Sequence, residues 1–265
     1  MEKDYLHLDL PVFEPGYEDG VRYSWSNDIE KKRLRNLLCR TTNGYCMYCY
    51  TRVEVDGKIS ADIEHGVEKN LNDKLIDCLP NLGLSCKVCN QSTKRKGEFK
   101  KKEKIPEELQ LVIESFREQE CNTPALCRAA CDGYMNLRDC YSKYRNIVLQ
   151  PIVSAQKKSL IQYDVLKRRF VPSVCLDNEF AKLIQAHIDK FGLNDSKCRT
   201  MELIRFCKDV VDGVVKPIKG RYNNLIVDLF VDKIFGMEEK KYKAICKVIL
   251  AQAAYKQDWV SINDC

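Results

Sequence analysis

The chain has 265 residues, of which 45% are hydrophobic and 31% charged, and a formal net charge of +6. That is enough for one large domain or two modest ones of ordinary globular composition, and no run approaches the ~20 apolar residues a membrane-spanning helix requires. So modest a charge also excludes a histone-like nonspecific binder.

Residues 1–42 read as an N-terminal arm and one helix. Pro11, Pro15, Gly16 and Gly20 break any periodicity in the arm. From Asn27-Asp28 a cap signal leads into a helix with apolar positions at Ile29, Leu34, Leu37 and Leu38, and Asn43-Gly44 ends it. Residues 43–104 differ in kind. Asp56-Gly57 is a two-residue turn between extended segments over 52–55 and 59–65. A short apolar segment around Leu82-Gly83-Leu84 follows, and then a basic helix starting near Asn90. After Pro106 the apolar spacing turns helical and predicts helices over 107–119, 123–145, 159–170, 178–191, 200–215, 222–235 and 238–258. Residues 105–265 therefore read as one helical domain for partner binding or self-association. The fold class expected is α+β.

The chain has 15 cysteines. The odd count, the chain length and the lack of a basic stretch followed by an apolar core at the N-terminus point to reduced thiols, metal ligands and the cytoplasm rather than a secreted disulfide scaffold. Cys46-x2-Cys49 and Cys86-x2-Cys89 are two chelating pairs separated by 36 residues. Two such knuckles complete the tetrahedral four-sulfur shell that Zn2+ favours, and a closed shell of this kind is structural.

Between the pairs lies Asp62-Ile63-Glu64-His65, followed by Asn81-Leu82 and by Asn90 directly after Cys89. Of the three histidines, His7, His65 and His187, His65 alone is set among carboxylates and amides beside a metal frame. Cutting a phosphodiester needs a base, a divalent cation and a scaffold. His65 can be the base. Glu64 or Asp62 can supply a hard oxygen ligand and Asn90 an amide oxygen, which suits Mg2+ or Mn2+. The stretch 94–104 carries seven basic residues in eleven, including Lys94, Arg95, Lys96, Lys100, Lys101 and Lys102, and is a candidate surface for phosphates.

The pattern Cys46-x2-Cys49, Glu64-His65, Asn81-Leu82, Cys86-x2-Cys89-Asn90 and Lys94 resembles the HNH (ββα-metal) endonucleases, in particular the zinc-stapled subgroup of bacterial restriction and antiviral systems. The resemblance covers residues from about 43 to 97. It implies a hairpin and one helix gripping a catalytic divalent ion. His65 would be the general base, Glu64 the metal-binding acid before it, Asn81 the asparagine tying the intervening loop, and Asn90 the terminal metal ligand. Lys94 would meet a phosphate. Glu64 stands where the family commonly has Asp or His, and Gly66-Val67-Glu68-Lys69-Asn70 replaces the usual Pro and Gly-Gly. In a regular strand Glu64 and His65 face opposite sides, which leaves Asp62 as a rival ligand on the Glu64 face.

The resemblance implies a DNA endonuclease, often working beside an ATPase or another subunit of a defence system. No Gly-x4-Gly-Lys-Ser/Thr loop is present, so ATP use would lie in another chain. Two alternatives stand beside it. One is a non-catalytic zinc module that binds nucleic acid or protein. The other is a recombination, homing or repair nuclease acting as a homo-oligomer.

Overall fold

The structure is a computed structural model and describes residues 5–97, 99, 104–118, 131–151, 159–174, 176–195, 197–220 and 222–255. In chain order its elements are β1 (His7–Asp9), α1 (Asp28–Thr41), β2 (Glu54–Val55), β3 (Lys58–Ile59), β4 (Ala61–His65), β5 (Leu82–Cys86), α2 (Glu107–Glu118) and α3 (Asp132–Arg145). They continue with β6 (Ile161–Asp164), β7 (Arg169–Pro172), α4 (Asn178–Lys190), α5 (Lys197–Val211), α6 (Leu225–Ile234) and α7 (Glu239–Tyr255). The fold is mixed α+β. Among the described residues no helix is long and apolar enough to cross a membrane.

Two compact units divide the chain, one formed by Val12–Lys158 and the other by Met1–Pro11 with Ser159–Cys265. This corrects the expected division at 42 and 104. Residues 107–151 belong with the cysteine pairs, and the first residues of the arm belong with the C-terminal helices.

In the unit Val12–Lys158, α1 forms where the sequence places it. Asn27 caps it, its side chain accepting the N–H groups of Ile29 at 3.0 Å and Glu30 at 3.1 Å. Such a cap contributes about 1 kcal/mol. The helix buries Leu34, Leu37 and Leu38 and packs on β5. It stops where Asn43 and Gly44 take positive φ, 50° and 75°. β2 and β3 close through Asp56 and Gly57, both also at positive φ (51° and 72°), the geometry of the tight hairpin turn that matches strand twist. β4 and β5 pair antiparallel in the register Ala61↔Cys86 to His65↔Leu82. β5 runs directly into a wide helical turn, Val88–Lys94, and a tight one, Arg95–Gly97. This helical segment begins two residues before the expected Asn90. α2 packs on α3, which is anchored on the cysteine-bearing segment by Tyr134, whose hydroxyl donates to the Pro80 carbonyl at 3.2 Å.

In the other unit, β1, β6 and β7 form an antiparallel sheet with β6 in the centre, and α5 packs against α7 and α6. The strands β6 and β7 replace the helix expected over 159–170. Ile161, Tyr163 and Val165 recur every second residue and are all buried, which is the period of a strand. This β-branched and aromatic alternation competes with the 3–4 spacing and wins. Asp164 turns the chain by accepting the Lys167 N–H at 2.8 Å, and Arg168 enters the left-handed region at φ 54°. His7 lies 3.8 Å from the Asp164 carboxylate, and His187 is buried on α4 against Phe191.

Candidate metal centre and the adjoining cleft

The first knuckle turns through Tyr50 at φ 59°, with the Tyr50 N–H on the Cys46 carbonyl at 3.0 Å. It is fastened to β5 by the Met47 N–H on the Leu84 carbonyl at 3.0 Å. The second knuckle comprises Cys86 at the end of β5 and Cys89 in the wide turn. Backbone N–H groups point at the sulfurs: Cys86 N donates to Cys46 Sγ at 3.3 Å and Cys89 N to Cys86 Sγ at 3.4 Å. All four Sγ atoms lie within 4.8 Å of one another, and Cys49 and Cys86 are 3.7 Å apart. Tetrahedral Zn–S bonds of ~2.3 Å place sulfurs about 3.8 Å apart. The four thiols therefore fit a metal ion such as zinc. The four sulfurs are coupled: hydrogen bonds from the neighbouring sulfurs hold the Cys49 and Cys86 thiols below their ordinary pKa, while burial raises Cys46 and the neighbouring sulfurs raise Cys89.

A cleft of about 720 Å³ opens beside β4, lined by α1, β4, residues 68–70, Asn90 and Arg95. Glu64 lines it but is buried. Its carboxylate accepts the Tyr48 hydroxyl at 2.6 Å and the Lys94 ammonium, which also donates to the His65 carbonyl. Lys94 is itself only 2% exposed. Two expectations are corrected here. Lys94 does not face a phosphate, because the wide turn aims it inward, and Glu64 presents its oxygens to Lys94 and Tyr48 rather than to an ion.

Asp62, two residues back on the same face, is half-buried and lines the cleft. Its Oδ2 accepts long hydrogen bonds of 3.4 Å from Asn90 Nδ2 and from Gln91 Nε2. The rival ligand Asp62 and the expected ligand Asn90 are thus adjacent. His65 has its Nε2 3.0 Å from the Ile76 carbonyl and its ring edge-on to Trp25, centroids 5.2 Å apart. Burial, with help from Lys69 and Lys31 and against the Ile76 and Asp77 oxygens, pushes its pKa from 6.5 down to about 4. The ring is neutral at pH 7, and with Nε2–H donating to Ile76, Nδ1 holds the lone pair.

Asn81 is fully buried within a set of hydrogen bonds to protein groups. It accepts the Val67 N–H at 2.7 Å and the Tyr134 hydroxyl at 3.0 Å, and donates to the Val67 and Leu75 carbonyls at 2.9 and 3.3 Å. It ties the loop after His65, so its place among catalytic groups becomes a positioning one. Arg95 and Lys96 are exposed on the tight turn and Arg95 reaches the cleft. Lys100, Lys101 and Lys102 lie outside the described residues.

Sequence reasoning missed Trp25, Lys31 and Lys69. The Lys31 and Lys69 ammonium groups sit over the Trp25 ring at 4.2 and 3.6 Å from its centroid. An aromatic shortly before a capped helix was the available signal, but the lysine partners emerge only with the fold.

No family model matches this chain, and neither a curated protein nor a solved structure matches it.

Proposed function

We propose that residues 43–104 are a zinc-stapled ββα-metal nuclease module and that the protein is a metal-dependent endonuclease hydrolysing DNA phosphodiester bonds, in bacterial antiviral defence or restriction beside a partner such as an ATPase. One arrangement carries this reading: an antiparallel strand pair running into a helical turn, clipped by four cysteines, with His65 lining the same cleft as Asp62 and Asn90. Zinc would be held by Cys46, Cys49, Cys86 and Cys89 and would fasten the two knuckles together. A divalent ion such as Mg2+ or Mn2+ would be held by Asp62 and Asn90, whose hard oxygens suit it, and would stabilise charge on phosphate oxygens.

His65 then acts as the base. Its Nδ1 takes a proton from water, while Nε2 stays bonded to the Ile76 carbonyl, which fixes the tautomer and the ring plane. Lys94 and Glu64 set the position of His65 from behind, since the Lys94 ammonium bridges the Glu64 carboxylate and the His65 carbonyl. Asn81 keeps the exit of β4 from opening.

The test is nicking of supercoiled plasmid with Mg2+ or Mn2+ by the wild type and His65→Ala, zinc content and folding being matched. Cleavage by the wild type alone supports the reading. The second reading, a zinc-clipped binding module without catalysis, draws on the neutralisation of Glu64 by Lys94. It is favoured if no ion or partner elicits cleavage.

A further inference from the structure

We propose that Lys31, Lys69 and Arg95 form a binding site for the phosphodiester backbone of duplex DNA beside His65, with Trp25 as the platform that aims the two lysines. The site lies outside the basic stretch 94–104 except for Arg95, and its main wall is α1. It rests on the nuclease reading only for the choice of nucleic acid as ligand.

Three observations carry it. Lys31 and Lys69 come from α1 and from the segment after β4, 38 positions apart in the sequence, yet both ammonium groups are held over one ring. Such contacts fix the direction of a flexible side chain. Second, the positive charges crowd one another: burial first, then Lys31 and Arg95, lower the Lys69 pKa. Among the described residues none of the three forms an ion pair with a carboxylate. Like charges gathered in this way are what an anion site requires. Third, they open into the cleft that holds His65. The carboxylates there do not cancel them evenly. Glu64 is answered by Lys94, and Glu68 is buried on the Tyr141 hydroxyl at 2.7 Å and the Phe99 N–H at 3.0 Å. Asp28 and Asp62 remain, and Asp62 sits with Asn90.

The Trp25 ring already carries two ammonium groups and the edge of His65, which leaves little face for a base to stack on. Single-strand binders depend on such stacking. The commitment is therefore to backbone phosphates of a duplex, read without base contacts.

The test is fluorescence anisotropy with a labelled duplex of about 20 base pairs and the corresponding single strand, on full-length protein in buffer without added divalent ions or chelator, over a salt series. Lys31→Gln/Lys69→Gln is expected to weaken duplex binding roughly tenfold and to flatten the plot of log K against log salt by about two units, and Arg95→Gln by about one. Lys58→Gln, a single charge change at the exposed start of β3 that matches Arg95→Gln, is expected to leave both nearly unchanged. Trp25→Leu is expected to weaken binding with both lysines present, and Trp25→Phe to restore it, with zinc content and melting unchanged. A double variant that binds like Lys58→Gln, a wild type that binds neither probe, or tighter binding to the single strand overturns the proposal. Plasmid left uncut while duplex binding still falls in the double variant overturns the nuclease reading and leaves this site standing.

Discussion

Asp77 holds Trp25 by its backbone, its Oδ1 accepting the Trp25 N–H at 2.6 Å. The same carboxylate accepts the Ser24 and Ser26 hydroxyls at 2.8 and 2.6 Å and the Ser26 N–H at 3.0 Å. Its neighbour Ile76 supplies the carbonyl that receives His65. One short loop therefore orients both rings: the imidazole through a carbonyl and the indole through a carboxylate.

Asp77→Ala removes the acceptor for four donors. The expected result is a loss on the order of 1–3 kcal/mol in stability, together with freer motion of Trp25 read as a change in its fluorescence anisotropy. Burial alone would raise the Asp77 pKa, but the hydrogen bonds from Ser26, Ser24 and the Trp25 backbone outweigh it and hold it below the ordinary carboxylate value. A depressed carboxylate contributes stability above its unfolded pKa and loses it as the pH falls through the folded one. The difference between wild type and Asp77→Asn should thus shrink below about pH 4 in denaturation series. A constant difference across pH would show that Asp77 contributes through packing alone.

A metal ion on the four-sulfur cluster would couple binding to the fold of its unit. Cys46 and Cys89 are buried on opposite knuckles, and four close sulfurs without an ion would repel as thiolates. Metal affinity at such sites is folding free energy. Cys46→Ser or Cys86→Ser is expected to lower bound zinc from one equivalent to a small fraction, measured by elemental analysis, and to lower the melting temperature. A variant with no bound metal and unchanged melting would contradict this coupling.

Lys94 and Glu64 form a buried pair, each side chain 2% exposed. Removing one partner strands the other charge away from water, which costs about 3–5 kcal/mol. Lys94→Met and Glu64→Gln are each expected to destabilise by that amount. The double variant recovers much of it, since the amide that Glu64→Gln introduces retains an acceptor for the Tyr48 hydroxyl. Urea denaturation of all four proteins gives the coupling directly. Additive losses would mean that the two groups do not act as a pair.

The features legible in the sequence are local ones. The Asn27 cap, the Asn43-Gly44 stop, the Asp56-Gly57 turn and the two chelating cysteine spacings each involve residues close in the chain, and the backbone follows them. The strand pair of His7 with Asp164 is set by residues 157 positions apart, so nothing near β1 in the sequence marks it as a strand rather than part of an arm. The helix expected over 159–170 does not form because Ile161, Tyr163 and Val165 satisfy a strand period that the spacing of Leu160, Val165 and Leu166 disguises. At the candidate site, composition locates the right cluster but not the orientations. Lys94 reads as a surface cation because it lies in a basic run. Its direction depends on the wide turn over Val88–Lys94, which has no reliable mark in the sequence. Asp62 and Glu64 alternate correctly onto one face, but only the fold decides which of the two receives the lysine.

His65 gives a stability change with pH whose sign follows from its surroundings. Its pKa is about 4 in the folded chain against 6.5 ordinarily. Above pH 6.5 the ring is neutral in both states and costs nothing. As the pH falls, the unfolded chain takes up a proton that the folded one resists, so stability is lost from about pH 6.5 down through the folded pKa. The loss reaches about 2 kcal/mol at pH 5 and about 3 kcal/mol once both states are protonated. His65→Gln lacks this titration. The stability gap between wild type and variant, measured by urea denaturation from about pH 7.5 down to about pH 5, is therefore expected to move in favour of the variant by about 2 kcal/mol over that span. A gap that stays constant would mean that the ring is protonated as readily in the fold as in water. Burial and the nearby lysines would then leave the protonation of the imidazole unaltered.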